Sequence, residues 1–204
     1  MNNRIVIAAI FSLSAMFAAA PAGAAGDAAA GKAKAMACAS CHGADGNSAN
    51  PEWPSLAGQH AKYLAKQLAN FKAGDRNNAL MSPMAAPLSE QDIADIAAFF
   101  ESQALKGGQA DPALVDAGEK LYRGGNATSG VAACMACHGP NGMGNPQANF
   151  PRLSGQHAAY TVLQLKAFRA GERVNDAGNM MRNIAARMTD AEMQAVASYI
   201  EGLQ

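Results

Sequence analysis

The chain has 204 residues, of which half are hydrophobic and only 6% aromatic, with 16 basic and 16 acidic side chains. This length allows one large domain or two small ones, and two small domains with so few aromatic residues would have thin cores if side chains alone filled them. The zero formal charge, without any polybasic run, excludes the basic face that nucleic-acid binding requires.

Residues 1–24 have the pattern of a cleaved secretory signal peptide. Arg4 precedes an apolar stretch from Ile5 to Ala20, which is shorter than the ~20 residues that span a bilayer. Ala22 and Ala24 provide the small residues of a cleavage site, and cleavage after Ala24 leaves 15 basic and 16 acidic side chains. We therefore expect an exported protein, in whose compartment cysteines can also form disulfides.

The rest of the sequence contains an internal repeat. Segments 38–43 and 54–60 return as segments 134–139 and 151–157 with nearly the same residues, and further matches follow at an offset that grows from 96 to 100. The growing offset indicates small loop insertions in an otherwise constant scaffold. The sequence therefore predicts a tandem duplication of one small domain.

The predicted domains cover residues 25–105 and 113–204, and a Gly- and Pro-containing linker at 106–112 joins them. Both halves have helical periodicity and neither has the alternating pattern of strands, so the predicted fold class is all-α.

Each half is predicted to contain three helices in the same order. The last helices follow Ser89 and Thr189, which are good N-caps, and Thr189 forms a capping box with Glu192. In the second half, Asn126 to Gly130 form a flexible insertion ahead of the cysteines. The first and middle helices are expected at about 27–38 and 59–73, and again at about 113–123 and 156–170.

Two Cys-x-x-Cys-His motifs indicate what the cysteines and histidines bind. In this spacing both thiols bond to the vinyl groups of a haem, and the adjacent histidine becomes the proximal iron ligand. A redox dithiol needs a βαβ context, a structural zinc site needs four ligands, and a disulfide explains neither histidine. We therefore expect two covalently bound haem c groups, which would also fill the thin cores. The attachment residues are Cys38, Cys41 and His42, and Cys134, Cys137 and His138.

The ligand at the sixth position of each iron decides between electron transfer and ligand binding or catalysis. Candidates in the first half are His60, Met81 and Met84. His60 begins a helix, where a capping or packing role is the preferred interpretation. Met81 and Met181 occupy equivalent positions, each expected in a loop before the last helix, whereas Met84 and Met180 are not duplicated. The repeat therefore favours Met81 and Met181.

With the Pro-x-Leu-x-Gly-Gln segments, these motifs make each half similar to a class I cytochrome c domain. The whole mature chain resembles dihaem cytochrome c4. In that family the proline carbonyl after the haem motif accepts a hydrogen bond from the proximal histidine, and Pro54 and Pro151 stand at the matching places. The axial pairs that the resemblance implies are His42 with Met81 and His138 with Met181.

The resemblance implies a periplasmic electron carrier that moves one electron per haem and is not an enzyme. The implied partners are a quinol-oxidising complex or another cytochrome upstream and a terminal oxidase downstream, in some relatives with peripheral association with the membrane. The mature chain is almost neutral, so no strongly charged docking face is expected. The alternative is a haem enzyme or enzyme subunit, such as a dihaem peroxidase or a dehydrogenase cytochrome. The near-identity of the halves disfavours this alternative, because it argues against one haem being specialised for catalysis.

Overall fold

The computed structural model describes residues 26–203, so the predicted signal peptide at 1–24 lies outside the described residues. Within the described part the secondary structure is helical, with two isolated bridges and no strand. The all-α prediction is confirmed. None of the helices in residues 26–203 has the length and apolar character needed to cross a membrane.

The two halves repeat one order of helices. The first half contains α1 (Ala28–Lys34), a 3₁₀ turn (Ala35–Ala37), α2 (Ala39–His42), α3 (Ala61–Ala73), α4 (Met81–Ala85) and α5 (Glu90–Glu101). The second half contains α6 (Val115–Gly124), α7 (Met135–His138), α8 (Ala158–Ala170), a 3₁₀ turn (Ala177–Asn179), α9 (Met180–Ala185) and α10 (Asp190–Gly202). The predicted linker at 106–112 falls inside the connection between α5 and α6.

The last helix of each half begins with a capping box. Ser89 accepts a hydrogen bond from the backbone N–H of Asp92, whose carboxylate accepts one from the backbone of Ser89. Thr189 and Glu192 make the same reciprocal pair at the start of α10. These local bonds satisfy N–H groups that the first turn leaves without helical partners, so they fix where the helices begin.

The first and last helices of each half cross at a glycine. A Cβ atom built on Gly31 would lie 2.0 Å from the carbonyl oxygen of Asp95 on α5. A Cβ on Gly118 would lie 2.2 Å from the carbonyl oxygen of Ala195 on α10. Each crossing brings two backbones closer than any other residue would allow, and it closes the apolar core of its domain.

The apolar stripes of the last helices form these cores. In the first domain α5 packs on α1 and α3, and in the second α10 packs on α6 and α8. The buried stripe residues are Ile93, Ile96, Phe99 and Phe100 on α5 and Met193, Val196, Tyr199 and Ile200 on α10.

One local expectation was wrong. Met81 and Met181 lie in the first turns of the short helices α4 and α9, not in loops. At the insertion from Asn126 to Gly130, Asn126 and Val131 exchange two backbone hydrogen bonds of 2.8 and 3.0 Å. The Asn126 side chain also donates to Glu192, which ties the insertion to α10.

Replacing Gly118 with alanine should destabilise the protein, because the added methyl group meets backbone that cannot move aside. We expect a loss of about 1–3 kcal/mol in the free energy of unfolding, measured by chemical denaturation of the holoprotein. Gly124→Ala in the same helix is the matched control, since no atom lies within 4 Å of its Cβ position. Equal losses in both variants would show that the crossing is not the constraint.

Candidate haem-binding sites

Each Cys-x-x-Cys-His motif occupies one short helix. The backbone N–H of His42 donates to the carbonyl of Cys38 at 2.9 Å, and that of His138 donates to the carbonyl of Cys134 at 2.9 Å. One helical turn thus holds both thiols and the histidine of each motif together. No disulfide joins the four cysteines in the described residues.

One thiol of each motif is poorly suited to redox exchange. Burial raises the pKa of the Cys38 thiol, and it raises the pKa of Cys134 to about 11. A redox dithiol works through a thiolate with a lowered pKa, so these values disfavour that alternative.

Both motif histidines are buried and held by one ring nitrogen. Nδ1 of His42 donates to the carbonyl oxygen of Pro54 at 2.9 Å, and Nδ1 of His138 donates to that of Pro151 at 2.9 Å. Within the described residues Nε2 of neither ring has a hydrogen-bond partner. Each ring therefore has a fixed orientation and one nitrogen free to bind iron.

The same surroundings keep the two rings neutral. Burial lowers the pKa of both His42 and His138, and the bond to the proline carbonyl opposes this effect only in part. A neutral imidazole is the form that coordinates a metal.

The duplicated methionines are less exposed to solvent than the methionines near them in sequence. Met81 and Met181 are partly buried, and Met181 packs against the core of the second domain. Met84 and Met180 are 45% and 42% exposed. The two methionines at equivalent positions are therefore the ones that the fold partly withdraws from solvent.

His60 and its equivalent His157 lie at the boundary between the two domains. Neither side chain caps its helix, so of the two roles that were preferred to iron ligation, capping does not apply. Instead Nε2 of His60 donates to the carbonyl of Met143 at 2.7 Å, and Nε2 of His157 donates to that of Ser48 at 2.9 Å. Each histidine therefore contacts the other domain, which favours the packing interpretation over iron ligation.

The glutamines before these histidines clamp the domains together reciprocally. The side chain of Gln156 accepts from the backbone N–H of Ser55 at 2.9 Å and donates to its carbonyl at 2.8 Å. The side chain of Gln59 does the same with the N–H and carbonyl of Arg152, at 2.9 Å each. The interface thus has an approximate two-fold symmetry that follows from the duplication.

Two arginines extend this symmetric interface along α3 and α8. Arg76 and Arg173 each donate to a tyrosine of the other domain and to glutamines of both domains, and each guanidinium lies 4.6 or 4.5 Å from the ring of a phenylalanine on its own domain. The partners of Arg76 are Gln67, Tyr160 and Gln164, and those of Arg173 are Gln164, Tyr63, Gln67 and Asn175.

The sequence contained a signal for this interface that the motif analysis did not use. The tyrosine, glutamine and arginine recur at equivalent places of both halves, and polar residues that recur on one helix face indicate a shared contact as well as a shared ancestry. Their pairing across domains could not be derived, because each bond joins residues that are more than 80 positions apart.

The charge of the interface fits a haem. Arg173 is only 7% exposed, and within the described residues its hydrogen-bond partners are all neutral side chains. A buried cation is costly unless anions offset it. The carboxylate of Asp176 raises the pKa of Arg173, and a haem carries two further carboxylates, its propionates. With the paired thiols, the neutral histidines and the partly buried methionines, the residues present suit two haem c groups.

Comparisons with known proteins agree with this assignment. The family model for cytochrome c matches residues 28–104 and 115–204. Cytochrome c4 of Azotobacter vinelandii is 53% identical over 190 residues, which cover 88% of this chain and 90% of the relative. The thiosulfate dehydrogenase electron acceptor of Thiomonas intermedia (strain K12) is 42% identical over 200 residues, covering 95% and 89%. The crystal structure of reduced recombinant cytochrome c4 from Pseudomonas stutzeri superposes with a TM-score of 0.86 at 50% identity, covering 88% of this chain and 100% of that one.

Proposed function

Because the chain belongs to the cytochrome c family, we propose that it is a periplasmic one-electron carrier between respiratory partners. It is a dihaem protein of the cytochrome c4 type, with two covalently bound haem c groups. Proteins of this type are electron carriers and not enzymes. The observation that carries the proposal is the same arrangement in both halves: a buried, neutral histidine with a free Nε2, on the helix that holds the two cysteines.

We assign His42 with Met81 to the first iron and His138 with Met181 to the second. The bound haem supplies a reversible one-electron iron couple. The proline carbonyls fix the histidine rings, and the thioether of a methionine favours the reduced state relative to a second nitrogen ligand. If a histidine and a methionine of the chain both bind each iron, no position would remain for a substrate, so the arrangement supports electron transfer rather than peroxidase chemistry.

Periplasmic location rests on the pattern of residues 1–24 and on the cysteine motifs, which agree with export before haem attachment. We propose cleavage after Ala24. Downstream, we propose that the protein donates to a terminal oxidase, with peripheral association with the membrane where that enzyme lies.

The upstream partner has two candidates. A quinol-oxidising complex or another cytochrome is the first. The second is a thiosulfate-oxidising enzyme, which is favoured by the 42% identity over 95% of this chain to a thiosulfate dehydrogenase electron acceptor.

Loss of a ligating methionine should remove one haem's share of the near-infrared sulfur-to-iron band of the oxidised protein. Met81→Ala and Met181→Ala should each halve the band, because each removes one thioether ligand. Met84→Ala and Met180→Ala are matched controls, since these side chains are exposed, and they should retain the full band. A full band in Met81→Ala would exclude Met81 as a ligand.

Export should leave a mature chain that begins at Ala25. Mass spectrometry of the periplasmic fraction is expected to give the mass of residues 25–204 with two haem c groups. Ala24→Leu places a bulky side chain at the cleavage site and should leave the signal segment attached. Recovery of the holoprotein in the cytoplasm with Arg4 still present would contradict the proposed location.

Electron transfer to and from purified partners should separate the candidate routes. Stopped-flow absorbance should show that terminal oxidase reoxidises the reduced holoprotein when oxygen is added. For the upstream step, quinol with its oxidising complex and thiosulfate with thiosulfate dehydrogenase are compared as reductants at equal concentration. The faster reductant identifies the donor, and failure of the oxidase to accept electrons would overturn the downstream proposal.

A further inference from the structure

We propose that each domain tunes the haem of the other domain through the peptide group that follows the proline at the proximal histidine. Gln156 of the second domain acts on the His42 site, and Gln59 of the first domain acts on the His138 site. Both are positioning residues that act through the backbone. The inference rests on the proposed function in one respect, which is the assignment of the two histidines as iron ligands.

One peptide group in the first domain makes both contacts. Its carbonyl, from Pro54, accepts from Nδ1 of His42 at 2.9 Å. Its N–H, from Ser55, donates to Oε1 of Gln156 at 2.9 Å. The histidine of one domain and the glutamine of the other are therefore joined through a single amide.

The second domain repeats the arrangement with the roles of the domains exchanged. The carbonyl of Pro151 accepts from Nδ1 of His138 at 2.9 Å. The N–H of Arg152, in the same peptide group, donates to Oε1 of Gln59 at 2.9 Å. The two-fold symmetry of the interface thus gives both histidine sites the same link to the opposite domain.

The hydrogen bonds around each glutamine define which of its atoms faces the peptide N–H. Nε2 of Gln156 donates to the carbonyl of Ser55 at 2.8 Å, so the amide oxygen must be the atom that faces the N–H of the same residue. The backbone N–H of His157 also donates to this oxygen, at 3.1 Å. Three hydrogen bonds, two to the oxygen and one from the nitrogen, therefore hold the side-chain amide in place.

A hydrogen bond at one end of an amide strengthens the bond at the other end. Donation by the N–H shifts electron density onto the carbonyl oxygen, which then accepts more strongly from the imidazole N–H. The site is poorly hydrated, since Ser55 is 5% exposed and His42 is 7% exposed, so the effect is not screened by water. A more strongly held imidazole N–H makes the ligand more basic, which favours ferric iron and lowers the reduction potential.

Replacement of either glutamine should therefore shift the potential of the haem in the opposite domain. Gln156→Leu should raise the equilibrium constant for reduction of the first haem by about twofold to fivefold, roughly 20–40 mV, and leave the second haem unchanged. Gln59→Leu should raise the potential of the second haem by a similar amount and leave the first haem unchanged. The potentials are followed in redox titrations by the NMR signals of the haem methyl groups, each assigned to its domain through contacts with nearby side chains.

Two further variants separate tuning from loosening of the interface. Asn175→Ala removes bonds to Gln67 and Asn70 of the other domain and an acceptor of Arg173, but it touches neither proline peptide, so it should not give the crossed pattern of shifts. Gln156→Glu retains an acceptor for the N–H of Ser55, so it should not raise the potential of the first haem.

A crossed shift supports the proposal, and equal shifts of both haems, or a shift confined to the altered domain, overturn it. If Gln156→Leu does not fold, Gln156→Asn provides the test, because its shorter side chain draws the acceptor away from the N–H of Ser55. An unchanged potential of the first haem in that variant would refute the link.

Failure of the proposed function has a different signature from failure of the tuning. If the unaltered holoprotein lacks the sulfur-to-iron band, the assignment of the iron ligands is wrong. If the band is present and the crossed shift is absent, only the tuning is wrong.

Discussion

The peptide groups after Pro54 and Pro151 are the constraint on which the two sites and their arrangement depend. Each carbonyl holds a proximal histidine, and the adjacent residue is bonded at both its N–H and its carbonyl by a glutamine of the other domain. Buried backbone groups must be paired, and leaving one without a partner costs about 1–3 kcal/mol. Separating the domains would therefore expose or strand groups that also orient the iron ligands, so docking and ligand geometry are set together.

Positive charge in the interface adds a second condition. Arg173 is buried among neutral partners, and burial together with the charges of Arg173 and Arg76 lowers the pKa of Lys66. These cations repel one another away from water, and the carboxylates of Asp75 and Asp176 offset the repulsion in part. Positive charge is thus concentrated in the interface, although the formal charge of the whole chain is zero.

The parts of this structure that could be predicted from sequence are those encoded locally. Thr189 and Glu192 are three positions apart and define a helix start by themselves, and a Cys-x-x-Cys-His motif places its three reactive residues on one helical turn. The contacts of His60 and Gln59 could not be derived in the same way, because their partners lie 83 and 93 residues away. The repeat marked these residues as important, but physical pairing across an interface depends on how two finished domains fit. The short helices that carry Met81 and Met181 were missed for another reason, since five or six residues give too little periodicity to identify a helix.

The duplication has kept the interface and the ligands alike while the two cores differ. Gly31 and Gly118 make equivalent helix crossings, yet the residue four positions later is Ala35 in the first domain and the fully buried Tyr122 in the second. The Tyr122 hydroxyl donates to the carbonyl of Gly139 at 2.7 Å, directly beside the second proximal histidine, and an alanine side chain cannot form this bond. The glutamine clamps recur in both halves, but the N–H that they hold belongs to Ser55 in the first and to the charged Arg152 in the second. The two sites therefore differ in their cores and also beside the histidines, so two haems in similar binding sites can differ in potential.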